Sequence, residues 1–190
     1  MRSLISYYFQ EGTKALRGKR EISILNPFIT FGELASLNAH ERTIDKLNKL
    51  DYSSTQSKEN MEIMKRFNKM RDIKIETINW FIPTFKHAFG GIHTILRFAN
   101  YFHTKKGIKN SLIIYGDPQT TSLEIKERIS KLFPDLSLAE TIILKDDNVD
   151  TLPYADISIA TRWDSAYLVL KFNKTKGKFY FIQDYEPLFY

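Results

Sequence analysis

INWFIPTFKHAFGGIHTILR, residues 78–97, decides the reading of this chain. An apolar run (Ile78, Trp80, Phe81, Ile82) ends at Pro83, and a short loop then carries Lys86 and His87. Gly90 and Gly91 follow, and a helical pattern starts at once. Strand, glycine turn and helix form the unit with which α/β proteins set an anionic group against a helix N-terminus. Without Cβ atoms, Gly90 and Gly91 open the backbone to a diphosphate or a sugar, with the first N–H groups of the helix at Ile92 behind them. A tight turn between strand and helix explains a lone glycine pair equally well.

From this unit onward the chain carries five short apolar runs: Ile78–Ile82, Leu112–Tyr115, Thr141–Leu144, Ile157–Ala160 and Phe179–Ile182. They are near-continuous rather than alternating, as in parallel strands buried on both faces. Helical patterns over Ile92–Lys105, Leu123–Leu132 and Trp163–Phe172 separate most of them. The last two follow the capping boxes Thr121-x-x-Glu124 and Thr161-x-x-Asp164. The stretch from Leu144 to Asp156 reads as a turn-rich loop or a short helix. The expected fold is α/β, a Rossmann-like parallel sheet flanked by helices.

Upstream the period is helical. Leu4, Ile5, Tyr8 and Phe9 share a face that packs on the chain's own domain or lies on a bilayer surface. Further helices are expected near Phe28–Leu37 and over residues 39–50, with a polar loop at 51–58. Residues 59–70 place Met61, Met64, Phe67 and Met70 at three-residue spacing, the packing face of another helix. The expected organisation is a helical extension over residues 1–74 and a Rossmann-like domain over residues 75–190.

The 190 residues include no cysteine, which excludes a disulfide scaffold, a thiolate zinc site and a cysteine nucleophile. No apolar run approaches the roughly 18 residues of a membrane span. Residues 1–20 do not read as a secretory signal. The cytoplasm is the default location, with its side of the membrane as a further place of contact. The net charge of +6 is uneven: residues 1–75 hold 14 Lys/Arg against 9 Asp/Glu, and residues 76–190 hold 14 against 13. The basic part is a solvated helical face or an attraction to an anionic membrane or phosphate-bearing substrate. With no dense basic block and no RNP or zinc-finger pattern, no nucleic-acid partner is expected.

Ligands of an open parallel sheet bind beyond the carboxyl ends of its strands. That rim would carry Lys86, His87, Gly90, Gly91 and His93, then Gly116 and Asp117, then Thr161, Arg162, Trp163 and Asp164, and last Gln183, Asp184, Tyr185 and Glu186. Arg162 beside Trp163 is a pair that can hold a phosphate or stack on a ring. The dinucleotide fingerprint, the P-loop and the G-x-S-x-G elbow are all missing. His87 and His93 lack a third ligand at a useful spacing, so no metal is expected.

Three blocks in order, NWFIPTFKHAFGGIHTILRFANYF, ATRWDSAYLVLKF and KFYFIQDYEPLFY, resemble the N-terminal half of GT-B glycosyltransferases. They look most like the rhamnosyltransferases of bacterial surface polysaccharides, over about residues 75–190. The resemblance implies two Rossmann-like domains around an active cleft, with the N-terminal domain on the acceptor side and most of the nucleotide-sugar donor, a deoxythymidine-diphosphate sugar such as dTDP-rhamnose, on the other. No resident cofactor or metal is implied. His87 or His93 would act as base or hydrogen-bond the sugar, Gly90 and Gly91 would face the diphosphate, and Asp184 and Glu186 would meet sugar hydroxyls. The chain has about half the length that the resemblance implies, so the donor half is expected to be missing or supplied by a second protein or copy. The alternative is a non-catalytic binding or assembly module derived from such a half.

Overall fold

The computed structural model describes residues 54–70 and 72–183. The helices expected within residues 1–50, and Asp184, Tyr185 and Glu186, lie outside the described residues. The described elements run α1 (Ser54–Lys69), β1 (Thr77–Pro83), α2 (Gly90–Lys106), β2 (Lys109–Tyr115), α3 (Ser122–Ser130), a 3-10 turn (Asp135–Leu138), β3 (Glu140–Leu144), a second 3-10 turn (Val149–Thr151), β4 (Ala155–Ala160), α4 (Trp163–Lys171) and β5 (Thr175–Tyr180).

All neighbouring strands pair in parallel, in the order β3-β2-β1-β4-β5. This is the strand order of a Rossmann-type half, with α-helices on both faces. Because side chains alternate along a strand, the sheet has two apolar cores. Ile78, Trp80 and Ile82 of β1 meet Ile95, Leu96 and Ile125 of α2 and α3 on one face. Phe81 meets Leu168, Val169 and Phe172 on the α4 face. The buried Trp80 indole N–H donates to Asn110 Oδ1 at 2.7 Å, so its polar atom is satisfied inside the first core.

Four strands fall where the apolar runs place them; the fifth does not. β5 covers 175–180 instead of 179–182, because its buried positions are Thr175, Gly177 and Lys178, with the Thr175 hydroxyl and the Lys178 ammonium hydrogen-bonded, while Phe179 and Tyr180 are exposed. Phe181 has left the strand and packs on Trp80 and Phe98. The connection after β3 does hold a short helix, the turn at Val149–Thr151.

α1 also differs from expectation. It starts at Ser54, inside the stretch read as a loop, and its methionine face is not the packing face. Met61 and Met70 are exposed, whereas Asn60 and Ile63 are buried and Phe67 sits edge-on to Phe179 with ring centroids 5.4 Å apart. Asn60 takes the central packing position because it bridges: its amide donates to Leu170 O and its oxygen accepts from Lys178. α1 thus covers the β5 edge, within the same compact unit as the sheet, Leu50–Tyr190.

Candidate functional site: the carboxyl rim of the sheet

β1 is the strand at which the chain reverses direction across the sheet, with β2 on one side and β4 on the other. The crevice beyond β1 and β4 is therefore the place where an open α/β sheet binds ligands. Gly90 and Gly91 open α2 there. Gly90 has a φ of +49° in open space, a conformation that favours glycine. Gly91 has a different reason: a Cβ would collide with Gln183 Oε1. Gln183 lies across the crevice, with its amide donating to Thr161 O at 3.0 Å. Its Oε1 is buried with no hydrogen-bond partner among the described residues. The first turn of α2 has neither a side-chain cap nor an acidic residue; the N–H groups of Ile92 and His93 donate to Phe89 O, so those of Gly90 and Gly91 are the ones turned to the rim.

Arg162, Trp163 and Asp164 stand on the α4 face. Asp164 is 1% exposed and accepts the Tyr115 hydroxyl at 2.6 Å and the Arg162 Nε at 2.8 Å, with Arg162 Nη2 on its second oxygen at 2.5 Å. Burial and the adjacent carboxylate push the Tyr115 hydroxyl up, keeping it a neutral donor. Burial works to lower the Arg162 guanidinium, and its bonds to Asp164 and Tyr115 outweigh that and raise it. Arg162 is thus a fixed cation over the Tyr115 ring, already paired, with 44% of its side chain exposed. Thr161 does not cap α4 as expected. Its hydroxyl donates to Phe81 O, and Ser165 Oγ instead accepts the N–H groups of Thr161 and Arg162.

His87, in the β1–α2 loop, and His93, in the first turns of α2, stand on the other face. A cavity of about 460 Å³ there is lined by Lys86, His87, Phe89, His93, Arg128 and Lys131, among others. Arg128 Nη1 donates to Phe85 O at 2.6 Å and ties the loop to α3. A second cleft of about 410 Å³ shares Lys86 and Arg128 and includes Asp117 and Glu124. Those two carboxylates are engaged locally, Asp117 with Gln119 N and Thr120 Oγ1 and Glu124 with Thr121 N.

The rim residues named from sequence therefore fall into separate groups. Gly91 and Thr161 meet at the crevice through Gln183, Arg162 and Trp163 belong to the α4 face, and His87, His93 and Gly90 line the cavity beside α3. Arg128 and Lys131 were missed, because they lie in and just after α3 rather than directly after a strand. Their spacing of three along a basic helix end is a signal that could have found them. Among the described residues, no group of three or more His, Asp or Glu side chains is placed to hold a metal ion, and no helix is long and apolar enough to cross a membrane.

No protein-family model matches the chain, and no solved structure matches it significantly. The chain is similar to the O-antigen biosynthesis protein RfbC of Myxococcus xanthus, with 38% identity over 117 residues. That stretch is 62% of this chain and 9% of RfbC, so the chain spans only a small part of the relative that it matches.

Proposed function

We propose that the chain serves cell-surface polysaccharide synthesis as the acceptor-side domain of a glycosyltransferase, in the manner of the GT-B enzymes that its sequence resembles. The observation that carries this reading is the similarity to RfbC over 62% of the chain. The 3-2-1-4-5 parallel sheet, with an uncapped helix opening on its switch-point crevice, supports it. In the reaction, an acceptor hydroxyl attacks the anomeric carbon of a nucleotide sugar such as dTDP-rhamnose. The bond from that carbon to the phosphate oxygen breaks, the nucleoside diphosphate leaves, and the hydroxyl proton passes to a base. The α2 N-terminus would offset charge growing on the diphosphate, an electrostatic role. In this reading His87 or His93 acts as that base or hydrogen-bonds the sugar. The donor's other contacts come from a second domain or protein.

The test is genetic and chemical together. Deleting the reading frame should shorten or abolish the surface polysaccharide seen on a gel, and the wild-type chain supplied in trans should restore it. An unchanged polysaccharide after deletion would count against the reading.

A further inference from the structure

We propose that the cavity beside α3 is a binding site for a phosphoryl group carried on a ring-bearing ligand. Three permanent cations line it, Lys86, Arg128 and Lys131, and no carboxylate does. Among the described residues none of the three has an ion-pair partner. Three like charges gathered around one cavity repel each other, and a bound anion removes that repulsion. Arg128 is held in place by its bond to Phe85 O, which uses one of its five N–H donors and leaves a pre-set fork for phosphate oxygens. The cavity volume of about 460 Å³ falls in the range of small-molecule sites.

The ring requirement comes from a second, separate feature. Phe89 is 77% exposed at the cavity mouth, and the His87 ring stacks on it with centroids 5.5 Å apart and planes 20° from parallel. A large apolar ring left in water at the edge of a basic cavity offers a flat face for a base or a sugar to stack on. His93, which also lines the cavity, packs on Phe133 with ring centroids 5.3 Å apart. Gly90, which lines this cavity, adjoins Gly91 at the crevice, and the charge and ring arguments hold with or without the sugar-transfer reading.

The experiment is calorimetric titration of the purified full chain with three probes: inorganic pyrophosphate, a nucleoside diphosphate and a hexose 1-phosphate. Saturable binding of pyrophosphate is expected, with tighter binding of at least one ring-bearing probe; which one separates a nucleotide from a sugar phosphate. Lys86→Glu and Lys131→Glu should each weaken binding about tenfold, the scale of one charged hydrogen bond. Lys105→Glu, at the far end of α2, should leave it unchanged. Phe89→Ala should remove the advantage of the ring-bearing probe over pyrophosphate. Absence of saturable binding, or binding indifferent to both charge reversals, overturns the site, and an advantage that survives Phe89→Ala overturns the ring. Polysaccharide loss on deletion can hold while this titration fails, and the reverse, so the two proposals fall separately.

Discussion

Lys178 shows how one residue can be both a pin and a burden. It is 8% exposed, and its ammonium donates to Asn60 Oδ1, Leu170 O and Asn173 Oδ1, joining α1, α4 and β5. Burial pushes it down to about 8 from the ordinary 10.5, against the opposing pull of Glu59. Between those values the unfolded chain keeps a proton that the folded chain has released, so this group makes stability rise with pH from about 8 to 10.5. Chemical denaturation across that range should show the rise, on the order of 3 kcal/mol, and Lys178→Met should flatten it. Next to it, a Cβ on Gly177 would lie 2.6 Å from the Phe67 ring. Gly177→Val should therefore lower stability by roughly 1–3 kcal/mol through overpacking. Adding Phe67→Ala should cost less than the sum of the two single changes, a coupling that thermal melts of the four proteins would reveal.

At the scale of elements, the sheet is tied at its amino end by Asp156 of β4. Its carboxylate accepts the N–H groups of Glu76 and Thr77 at 2.8 and 3.0 Å and pairs with Lys176 of β5 at 2.7 Å. Burial works to raise this carboxyl, and Lys176 with the two N–H groups outweighs it, holding the group below the usual carboxylate range. Its contribution is thus complete above the ordinary carboxylate pKa and is lost as pH falls through the lower folded value. Asp156→Ala, which strands two backbone donors, should cost about 1–3 kcal/mol and flatten the acid side of a stability-against-pH curve. The central strands were legible because burial on both faces demands continuous apolar runs. β5 and α1 were not, because each is half-covered and uses polar atoms at its contacts: Lys178 and Asn60 where a hydrophobic pattern is sought. The Thr161 cap failed for a similar reason, since its hydroxyl is drawn to Phe81 O across the sheet, a contact that local spacing does not encode.

For the whole molecule, the order of strands and the glycine turn locate the rim; the turn and the parallel sheet follow from the chain's pattern, and the order of strands comes from the fold. The division of rim residues does not. Whether a loop residue meets the crevice, the α3 side or the α4 face depends on which way its loop folds over the sheet edge, and distant anchors such as Arg128 on Phe85 O and Gln183 on Thr161 O decide that. Gly91→Ala separates fold from function at the crevice. Its Cβ meets only the end of a flexible side chain, and alanine is the better helix former by about 0.5–1 kcal/mol, so the fold should survive while Gln183 is driven from its place. The most direct measurement is the surface polysaccharide of cells lacking this chain and supplied in trans with either the wild-type or the Gly91→Ala protein, both confirmed folded by their melting curves. Full-length polysaccharide with the wild type and shortened or absent polysaccharide with Gly91→Ala is the predicted result; full-length polysaccharide in cells that receive neither protein would contradict the account.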